Sequence, residues 1–366
     1  MANLSTSARN DAPYRGLIHT ITGSTGIDEM LDKAGLSWKT VPMPMGIIGR
    51  TETRPSFFRA LVRSDDGMEL GVASPAYKPI HNRQLLEAAV ALSGEHSLKL
   101  IRAGAIDGGR RVAIVADLGD QFEVPLPEWM GSFRPRNGHE IMPEGPDTTG
   151  CHLTITSGHV PGIAAEYGIQ AWRQWCSNGA RIERRLGRVR ITHRGDQFAM
   201  EIYKLAEVLD RARGKFQAYG NTMKTLSRIK LQPHQTKAYI LSTTQPDVWA
   251  GVMEKTLARI GTVDVDLWQA ATERLVADPR AITDLYDRTT ELCLAALEVQ
   301  PGAAIWRNTL YGAYNAITWV IDHVRGRSVD ASVGNALFGT GALLKDAALD
   351  RALELVPVLA GKQGVS

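Results

Sequence analysis

The chain has 366 residues, of which 44% are hydrophobic and 22% charged, which are the proportions of an ordinary globular protein and exclude a disordered one. Its three cysteines are widely spaced and odd in number, so we expect neither a disulfide framework nor a zinc site. With no signal-peptide pattern near residue 1 and no uncharged run of about 18 apolar residues, we expect a cytoplasmic protein that does not enter a membrane.

The first third of the sequence predicts short helices and hairpins. Residues 1–25 are polar and indicate a flexible arm, and residues 25–35 predict a short helix followed by an extended segment at 38–45. Residues 56–74 form two β-prone runs joined by Asp-Asp-Gly, which is a hairpin pattern. Asn82 is a good N-cap for the amphipathic helix that follows it. A second hairpin is expected around residues 107–109, and a long Pro- and Gly-rich loop over 120–150.

The remainder of the chain predicts a change from strands to helices. "CHLTITSGH" is typical of a strand, and a strong helix is expected from about residue 197. After Pro233 we expect helices at 235–245, 263–277, 279–299, 301–325 and 341–359. Strands followed by helices indicate the α+β class: a hairpin-rich core domain at 26–232, and a helical region at 233–366.

The most unusual segment is "ARIERRLGRVRITHRG", in which six arginines lie among residues 181–194 with one acid, Glu183. From Ser177 to Lys230 there are thirteen Lys or Arg and five acids, a local balance of +8 in a chain whose net charge is +3. A turn at Gly187 would make this segment a basic β-hairpin. Guanidinium groups bind phosphate oxygens in a bidentate manner, so the segment indicates a polyanion site. The alternative is a solvated face paired with acids elsewhere in the chain.

From this segment we predict a set of nucleic-acid-binding residues. Aromatic side chains close to the arginines in sequence favour single-stranded nucleic acid, because bases stack on them. The phosphate contacts are assigned to Arg181, Arg184, Arg185, Arg188, Arg190, Arg194 and Lys215, and base stacking to Trp172 and Phe198.

Catalytic and metal-binding patterns are weaker. Ser157 and His159, together with Asp196, suggest a hydrolase site, but the sequence lacks the Gly-x-Ser-x-Gly turn that exposes a nucleophile. Cys176 with His193 is a second candidate pair if their strands lie side by side. No histidine pair has metal-ligand spacing, and "GSTG" lacks the lysine of a phosphate-binding loop. We therefore expect no cofactor, no metal and no chemical step.

Several short segments, in order, resemble a phage/plasmid-like protein family known as a domain of unknown function (DUF932). They are "AGLSWKTVPMP", "LGVASPAYKPIHNRQLL", "GGRRVAIVADL", "WRQWCSNG", "RITHRG" and "NAITWVIDH", within residues 30–330. The family's Tyr-x-Pro-x-x-Asn element matches Tyr77, Pro79 and Asn82. A second element matches Arg173, Cys176 and Asn178, with Gly179 in place of a threonine, and Thr192-His193 matches a third loosely. The chain departs from the family at 157–162.

This resemblance implies a protein of a mobile element that acts on DNA. In outline the predicted fold is also similar to RecT/Erf single-strand annealing proteins, which form rings or filaments and hold single-stranded DNA under a β-hairpin. The first hypothesis is therefore a homo-oligomeric protein that binds or anneals single-stranded DNA in recombination or replication. The alternative is a non-enzymatic interaction factor, such as an inhibitor of a host system, whose basic hairpin meets an acidic partner.

Overall fold

This computed structural model describes residues 18–49, 52–96, 98–127, 146–174, 178–181, 189–191, 204–261, 266–277, 286–325, 335–336 and 339–363. The strands are β1 (Ile18–Thr20), β2 (Thr40–Ile48), β3 (Thr53–Arg63), β4 (Glu69–Ala73), β5 (Lys99–Ile106), β6 (Arg111–Val124), β7 (Asp147–Gly158), β8 (Ala165–Arg173), β9 (Asn178–Arg181) and β10 (Val189–Ile191). The helices are α1 (Ile27–Lys33), α2 (Asn82–His96), α3 (Lys204–Arg228), α4 (Pro233–Thr244), α5 (Pro246–Ile260), α6 (Leu267–Ala277), α7 (Arg288–Val299), α8 (Ala303–Trp306), α9 (Leu310–Trp319), which continues as a π-helical turn (Val320–Val324), and α10 (Thr340–Gln363).

Two antiparallel sheets precede a helical half, which confirms the predicted α+β class. The main sheet has the order β1-β5-β6-β7-β8, with β9 and β10 both on the free side of β8. A smaller sheet has the order β2-β3-β4. The predicted hairpins around 56–74 and 107–109 are confirmed as β3–β4 and β5–β6. The turn of the second hairpin has positive φ at Asp107, Gly108 and Gly109, which is why glycines stand there.

Several local predictions need correction. Residues 18–20 of the expected arm form β1, paired with β5. Helix α5 was not predicted, although Pro246 in its first turn is a typical start. Asn82 is not the N-cap of α2, because the helix already includes it. Its side chain instead donates hydrogen bonds to the carbonyls of Leu36 and Trp38, both at 3.0 Å.

The two faces of the main sheet have different surroundings. On the inner face, alternate residues of β6 such as Val112, Ile114 and Ala116 belong to the main hydrophobic core, together with side chains of α2 and of the C-terminal helices. On the outer face, Ala113 and Val115 belong to a small separate cluster that includes Trp172. This alternation follows from the period of two in a strand.

The main core is continuous across residue 232, where a domain boundary was expected. Helix α3 contacts β6 on one side and α9 on the other. Backbone hydrogen bonds join Leu231 to Asn308 and Leu310 to Ile229, so the segment between α3 and α4 is tied to the start of α9. Sheet and helices thus share one set of buried side chains.

The arms of the expected basic hairpin are not hairpin partners. In register, Arg181 lies opposite Gln170 of β8, and Val189 lies opposite Tyr167. Both β9 and β10 run antiparallel to β8 and therefore parallel to one another, whereas hairpin arms are antiparallel. Between these two pairs, β8 spans three residues, from Tyr167 to Gln170, whereas the chain that forms the edge spans eight, from Arg181 to Val189. The prediction of a hairpin formed by these arms is wrong, because pairing with β8 replaces their pairing with each other.

Candidate functional site

The described arginines of the basic segment lie on one edge of the main sheet. Arg181 in β9 is opposite Gln170, and Arg190 in β10 is opposite Glu166. These two positions of β8 are four residues apart, or about 13 Å at the rise of a β-strand. Along β8, Gln170 and Glu166 alternate with inner-face residues such as Ile169, so these two positions lie in the register of the outer face. The sheet edge thus fixes two of the seven predicted phosphate-binding positions.

Other members of the predicted set lie outside the described residues. These are Arg184, Arg185, Arg188, Arg194 and Phe198, together with Cys176 and His193 of one candidate catalytic pair.

Trp172, expected to stack on bases, is a covered residue of the outer face. Its side chain is 9% exposed. The Arg102 guanidinium lies 5.5 Å from the ring centroid, a cation–π arrangement, and the His152 ring meets it edge-on at 5.4 Å. Access for a base to this ring would therefore require displacement of Arg102.

Lys215 lies on the other side of the sheet from Trp172. It is exposed on α3, and the next residue, Phe216, packs on Phe122 of the inner face with ring centroids 5.1 Å apart. Trp172 belongs to the outer-face cluster. The structure does not bring these two predicted contacts together on one face of the sheet.

The outer face contains charged residues that the sequence analysis did not select. Asp117 of β6 is opposite His152 of β7, and Arg102 is opposite Val115. Burial lowers the pKa of His152, and Arg102 lowers it further, while Asp117 opposes them. Because side chains alternate between the two faces of a strand, the sequence of β5 to β8 could have placed Asp117, His152 and Arg102 on the same face as Trp172. It could not have shown which strands are neighbours.

Ser157 and His159 are both buried, at 1% exposure, but do not form a catalytic pair. The Ser157 hydroxyl makes no hydrogen bond within the part of the chain that the structure describes. The His159 Nε2 atom lies 2.8 Å from the Asn82 Oδ1 atom, and the His159 ring meets the Trp38 ring edge-on at 5.0 Å. Through Asn82, His159 joins the sheet to α2, which is a structural role.

The two described cysteines, Cys151 and Cys293, are buried and have raised pKa values. Burial raises the pKa of Cys151 to about 12, and nearby Asp120 and Asp117 add to the effect. Burial likewise raises the pKa of Cys293 to about 12. A nucleophilic cysteine needs a depressed pKa, so neither thiol is a candidate nucleophile.

A buried ion pair connects the sheet to α9. Arg173 donates from Nε and Nη2 to the two carboxylate oxygens of Asp147, each at 2.6 Å, and the Tyr311 hydroxyl donates to Asp147 at 3.1 Å. The guanidinium also lies 5.1 Å from the Tyr311 ring centroid. A cavity beside this pair, lined in part by Thr149 and Tyr314, has room for about one water molecule. It is too small for an organic ligand.

The described ranges contain no group of three or more His, Cys, Asp or Glu that could hold a metal ion. In the same ranges, no helix is both long and apolar enough to cross a membrane.

Comparison with protein families matches residues 69–338 to the family described as "Domain of unknown function (DUF932)". The match begins at β4 and extends into the segment before α10, so it includes most of the main sheet and the helical half. Comparisons with curated proteins and with solved structures find no match. The match spans well over half of the 366 residues, and the chain belongs to the DUF932 family.

Proposed function

We propose that the protein binds or anneals single-stranded DNA of a mobile element, without a chemical step, along the edge of the main sheet formed by β9 and β10. The observation that carries the proposal is the register of this edge. Arg181 and Arg190 occupy it about 13 Å apart, and the chain between them holds three further arginines, Arg184, Arg185 and Arg188. Five arginines thus lie between residues 181 and 190, and Arg194 follows four residues later in the sequence.

The chemistry of arginine supports a phosphate backbone as the ligand. A guanidinium is always charged and presents donors in a planar fork that fits two phosphate oxygens. Repulsion among many such groups disfavours their crowding unless anions neutralise them. Contacts of this kind release counterions, so binding would weaken steeply with salt, by about 0.7 in log K per log salt for each phosphate on a single strand.

The wider context of the proposal comes from the family and from the outline of the fold. A DNA-binding protein of a phage or plasmid would act in recombination or replication in the cytoplasm. Annealing proteins of the RecT/Erf type work as rings or filaments, and we extend the proposal to a homo-oligomer. No solved structure matches, so this likeness stays a hypothesis.

The test is titration of a fluorescent single-stranded oligonucleotide with protein at increasing salt. We expect a slope of log K against log salt of up to about −4 if all six arginines contact phosphate. The R184A/R185A/R188A variant should weaken binding and flatten the slope by about 2. The matched control is K237A/K255A/R259A, which removes three exposed charges from α4 and α5 and should leave both unchanged. Absence of binding at low salt, or equal effects of the two variants, would refute the proposal.

The alternative, an acidic protein partner for the arginines, has one observation in its favour. Helix α10, which carries Asp346 and Asp350, contacts β9, as does α9. These two acids are therefore carried by a helix that contacts this edge. Copurification of a stoichiometric acidic protein without nucleic acid, lost in the R184A/R185A/R188A variant, would favour the alternative over the DNA proposal.

A further inference from the structure

The β2–β3 hairpin extends beyond the small sheet as a two-stranded arm. Strand β4 pairs with β3 only as far as Ala73, which lies opposite Arg59, and Arg59 lies opposite Pro44 of β2. Residues 45–58, which we call the arm, come after this point, and among the described strands no third one pairs with them. A two-stranded ribbon gains little stability of its own, so the side chains that the arm exposes are not explained by packing.

A bulge places two phenylalanines side by side on the arm. Residues 56–58 of β3 lie opposite the single residue Met45, and the Phe58 amide donates to the Ser56 hydroxyl at 3.1 Å. In a regular strand, consecutive side chains point to opposite faces. Here the rings of Phe57 and Phe58 meet edge to face, with centroids 5.6 Å apart. The bulge therefore joins the two rings into one aromatic pair.

This aromatic pair is open to solvent. Phe57 is 72% exposed and Phe58 is 50% exposed. All other phenylalanine, tyrosine and tryptophan side chains in the described parts of the chain are buried or half-buried. Aromatic side chains normally contribute large areas to a core or an interface, so two adjacent exposed rings indicate a binding surface.

We propose that Phe57 and Phe58 form the base-stacking site of the protein, on which unpaired bases of single-stranded DNA stack. The proposal rests on the proposed function and deepens it: the arginine edge holds phosphates and the arm holds bases. Aromatic rings are the usual platform for bases without sequence preference, because every base has a π-face. Trp172, to which the sequence assigned this role, is covered, whereas Phe57 and Phe58 are accessible.

The charges beside the aromatic pair suit a polyanion. Arg59 follows Phe58 directly, is exposed, and its side chain forms no ion pair with any residue that the structure describes. Arg54 pairs with Glu52, but their side chains are 75% and 56% exposed. Exposed pairs of this kind contribute little free energy, so the Arg54 guanidinium stays available to a phosphate. Aromatic rings with arginines beside them are the combination that single-stranded nucleic acid requires.

The small sheet lies across one end of the main sheet. A Cβ atom at Gly109, in the β5–β6 turn, would lie 3.3 Å from the Arg63 Cδ atom. A Cβ atom at Gly71 of β4 would lie 2.8 Å from the Cγ1 atom of Val160, in the β7–β8 connection. The C-terminal end of β3 is therefore next to the β5–β6 turn, and the middle of the small sheet is next to the β7–β8 connection.

This placement directs the arm toward the arginine edge. Traced backward from Arg63 to Phe57, β3 leaves the β5–β6 turn and passes the β7–β8 connection at Leu61, which is paired with β4 there. The next strands in that direction are β8 and β10. Arg190 of β10 lies opposite Glu166, near the start of β8 and so at the same end of the main sheet. A single strand bound along the edge can thus continue onto the arm.

The test compares two oligonucleotides of equal length, an ordinary fluorescent single strand and an abasic strand that keeps the phosphates and lacks the bases. F57A/F58A should bind the ordinary strand at least about 5-fold more weakly than the wild type, as expected for the loss of one stacked base. It should bind the abasic strand as the wild type does. The slope of log K against log salt should not change, because stacking releases no counterions.

Two control variants separate stacking from general apolar contact. F57Y/F58Y keeps both rings and should bind like the wild type. I47A/I48A removes two apolar side chains of the same arm that are 61% and 86% exposed and carry no ring, and it should also bind like the wild type. Circular dichroism confirms that each variant is folded.

A second measurement uses the unaltered chain, so it stays decisive if F57A/F58A disturbs the hairpin. Photo-cross-linking of an oligonucleotide that contains iodouracil, followed by mass spectrometry, should place the cross-link on Phe57 or Phe58. Cross-links found only elsewhere, or an F57A/F58A variant that loses as much affinity for the abasic strand as for the ordinary one, would overturn the proposal.

Failure of this proposal can be distinguished from failure of the proposed function. Salt-dependent binding that R184A/R185A/R188A weakens and F57A/F58A does not would leave the arginine edge standing and exclude the arm. Base-dependent binding that F57A/F58A weakens and R184A/R185A/R188A does not would support the arm and refute the edge.

Discussion

Arg173 and Asp147 form a bidentate ion pair that is almost fully buried, with side chains 5% and 0% exposed. They are 26 residues apart in sequence, at one end of the adjacent strands β8 and β7. Tyr311 of α9 donates to the same carboxylate, so one hydrogen-bonded group connects two strands and a helix. Arg173 belongs to an element on which the family resemblance depends. The structure gives it a stabilising role inside the fold.

We expect Asp147→Asn to destabilise the protein by about 3–5 kcal/mol, because it leaves the Arg173 charge buried without its counterion. Urea unfolding followed by circular dichroism measures the change. The control is Glu298→Gln, which breaks the exposed pair with Arg307 and should cost less than about 1 kcal/mol. Equal losses of unfolding free energy in the two variants would mean that the buried pair does not stabilise the contact between the sheet and α9 as its geometry indicates.

The sequence predicted those elements whose cause is local. The turn at residues 107–109 and the apolar spacing of α2 are properties of neighbouring residues, and both elements formed as expected. Asp147 could not be identified in this way, because its role depends on Arg173 and Tyr311, which come from other elements. Gly187 is a plausible local turn, yet β9 and β10 both pair with β8, whose neighbours the sequence does not specify.

Asn82 is a similar case, and it leads to a second prediction. Its partners, Leu36, Trp38 and His159, are 46, 44 and 77 residues away. Asn82→Ala should cost about 2–3 kcal/mol, because buried carbonyls lose their donors. Asn82→Asp should cost more, since a carboxylate would face the same two carbonyl oxygens. Asn221→Ala, at an exposed position of α3, should be nearly neutral in the same unfolding experiment. A neutral Asn82→Asp would contradict the assignment.

His152 should make the stability of the protein depend on pH. Burial holds its pKa in the folded state below the ordinary value of about 6.5, with Arg102 acting in the same direction and Asp117 against it. Between the folded and unfolded pKa values the unfolded chain binds more protons, so the free energy of unfolding rises with pH in that window. Acidification from neutral pH through the window should therefore destabilise the protein.

Unfolding measured over this pH range in His152→Gln checks the prediction, since glutamine does not titrate. The variant should show a shallower loss of stability on acidification than the wild type. The pKa of His81 is also lowered by burial, and His81→Gln is the comparison that separates the two contributions. An unchanged pH slope in His152→Gln would exclude this histidine as the source.

The thiols of Cys151 and Cys293 should be unreactive in the folded protein. Both are buried, with each pKa raised to about 12, so the thiolate that attacks a disulfide reagent is scarce at neutral pH. In a C176S variant we expect negligible labelling by such a reagent until denaturant is added, when two thiols react. Rapid labelling of one thiol under native conditions would show that its surroundings are more open than the structure indicates.

Gly312, near the start of α9, should tolerate no side chain. A Cβ atom there would lie 1.9 Å from the carbonyl oxygen of Trp306, which is backbone and cannot move aside without shifting α8. The Gly312 carbonyl also accepts a hydrogen bond from the buried Gln300 side chain, at 2.9 Å, so α9 cannot slide away freely. We expect Gly312→Ala to cost about 4 kcal/mol or more, in the range of the most damaging single substitutions.

Gly251, inside α5, is the matched control for Gly312. A Cβ atom at Gly251 meets no other atom within 4 Å, and alanine is the better helix former by about 0.5–1 kcal/mol. Gly251→Ala should therefore raise the urea midpoint while Gly312→Ala lowers it, although both are the same chemical change in a helix. Opposite signs would show that contact with α8 governs the first site and helix propensity the second. A mild effect at Gly312 would mean that α8 and α9 pack less closely than the structure indicates.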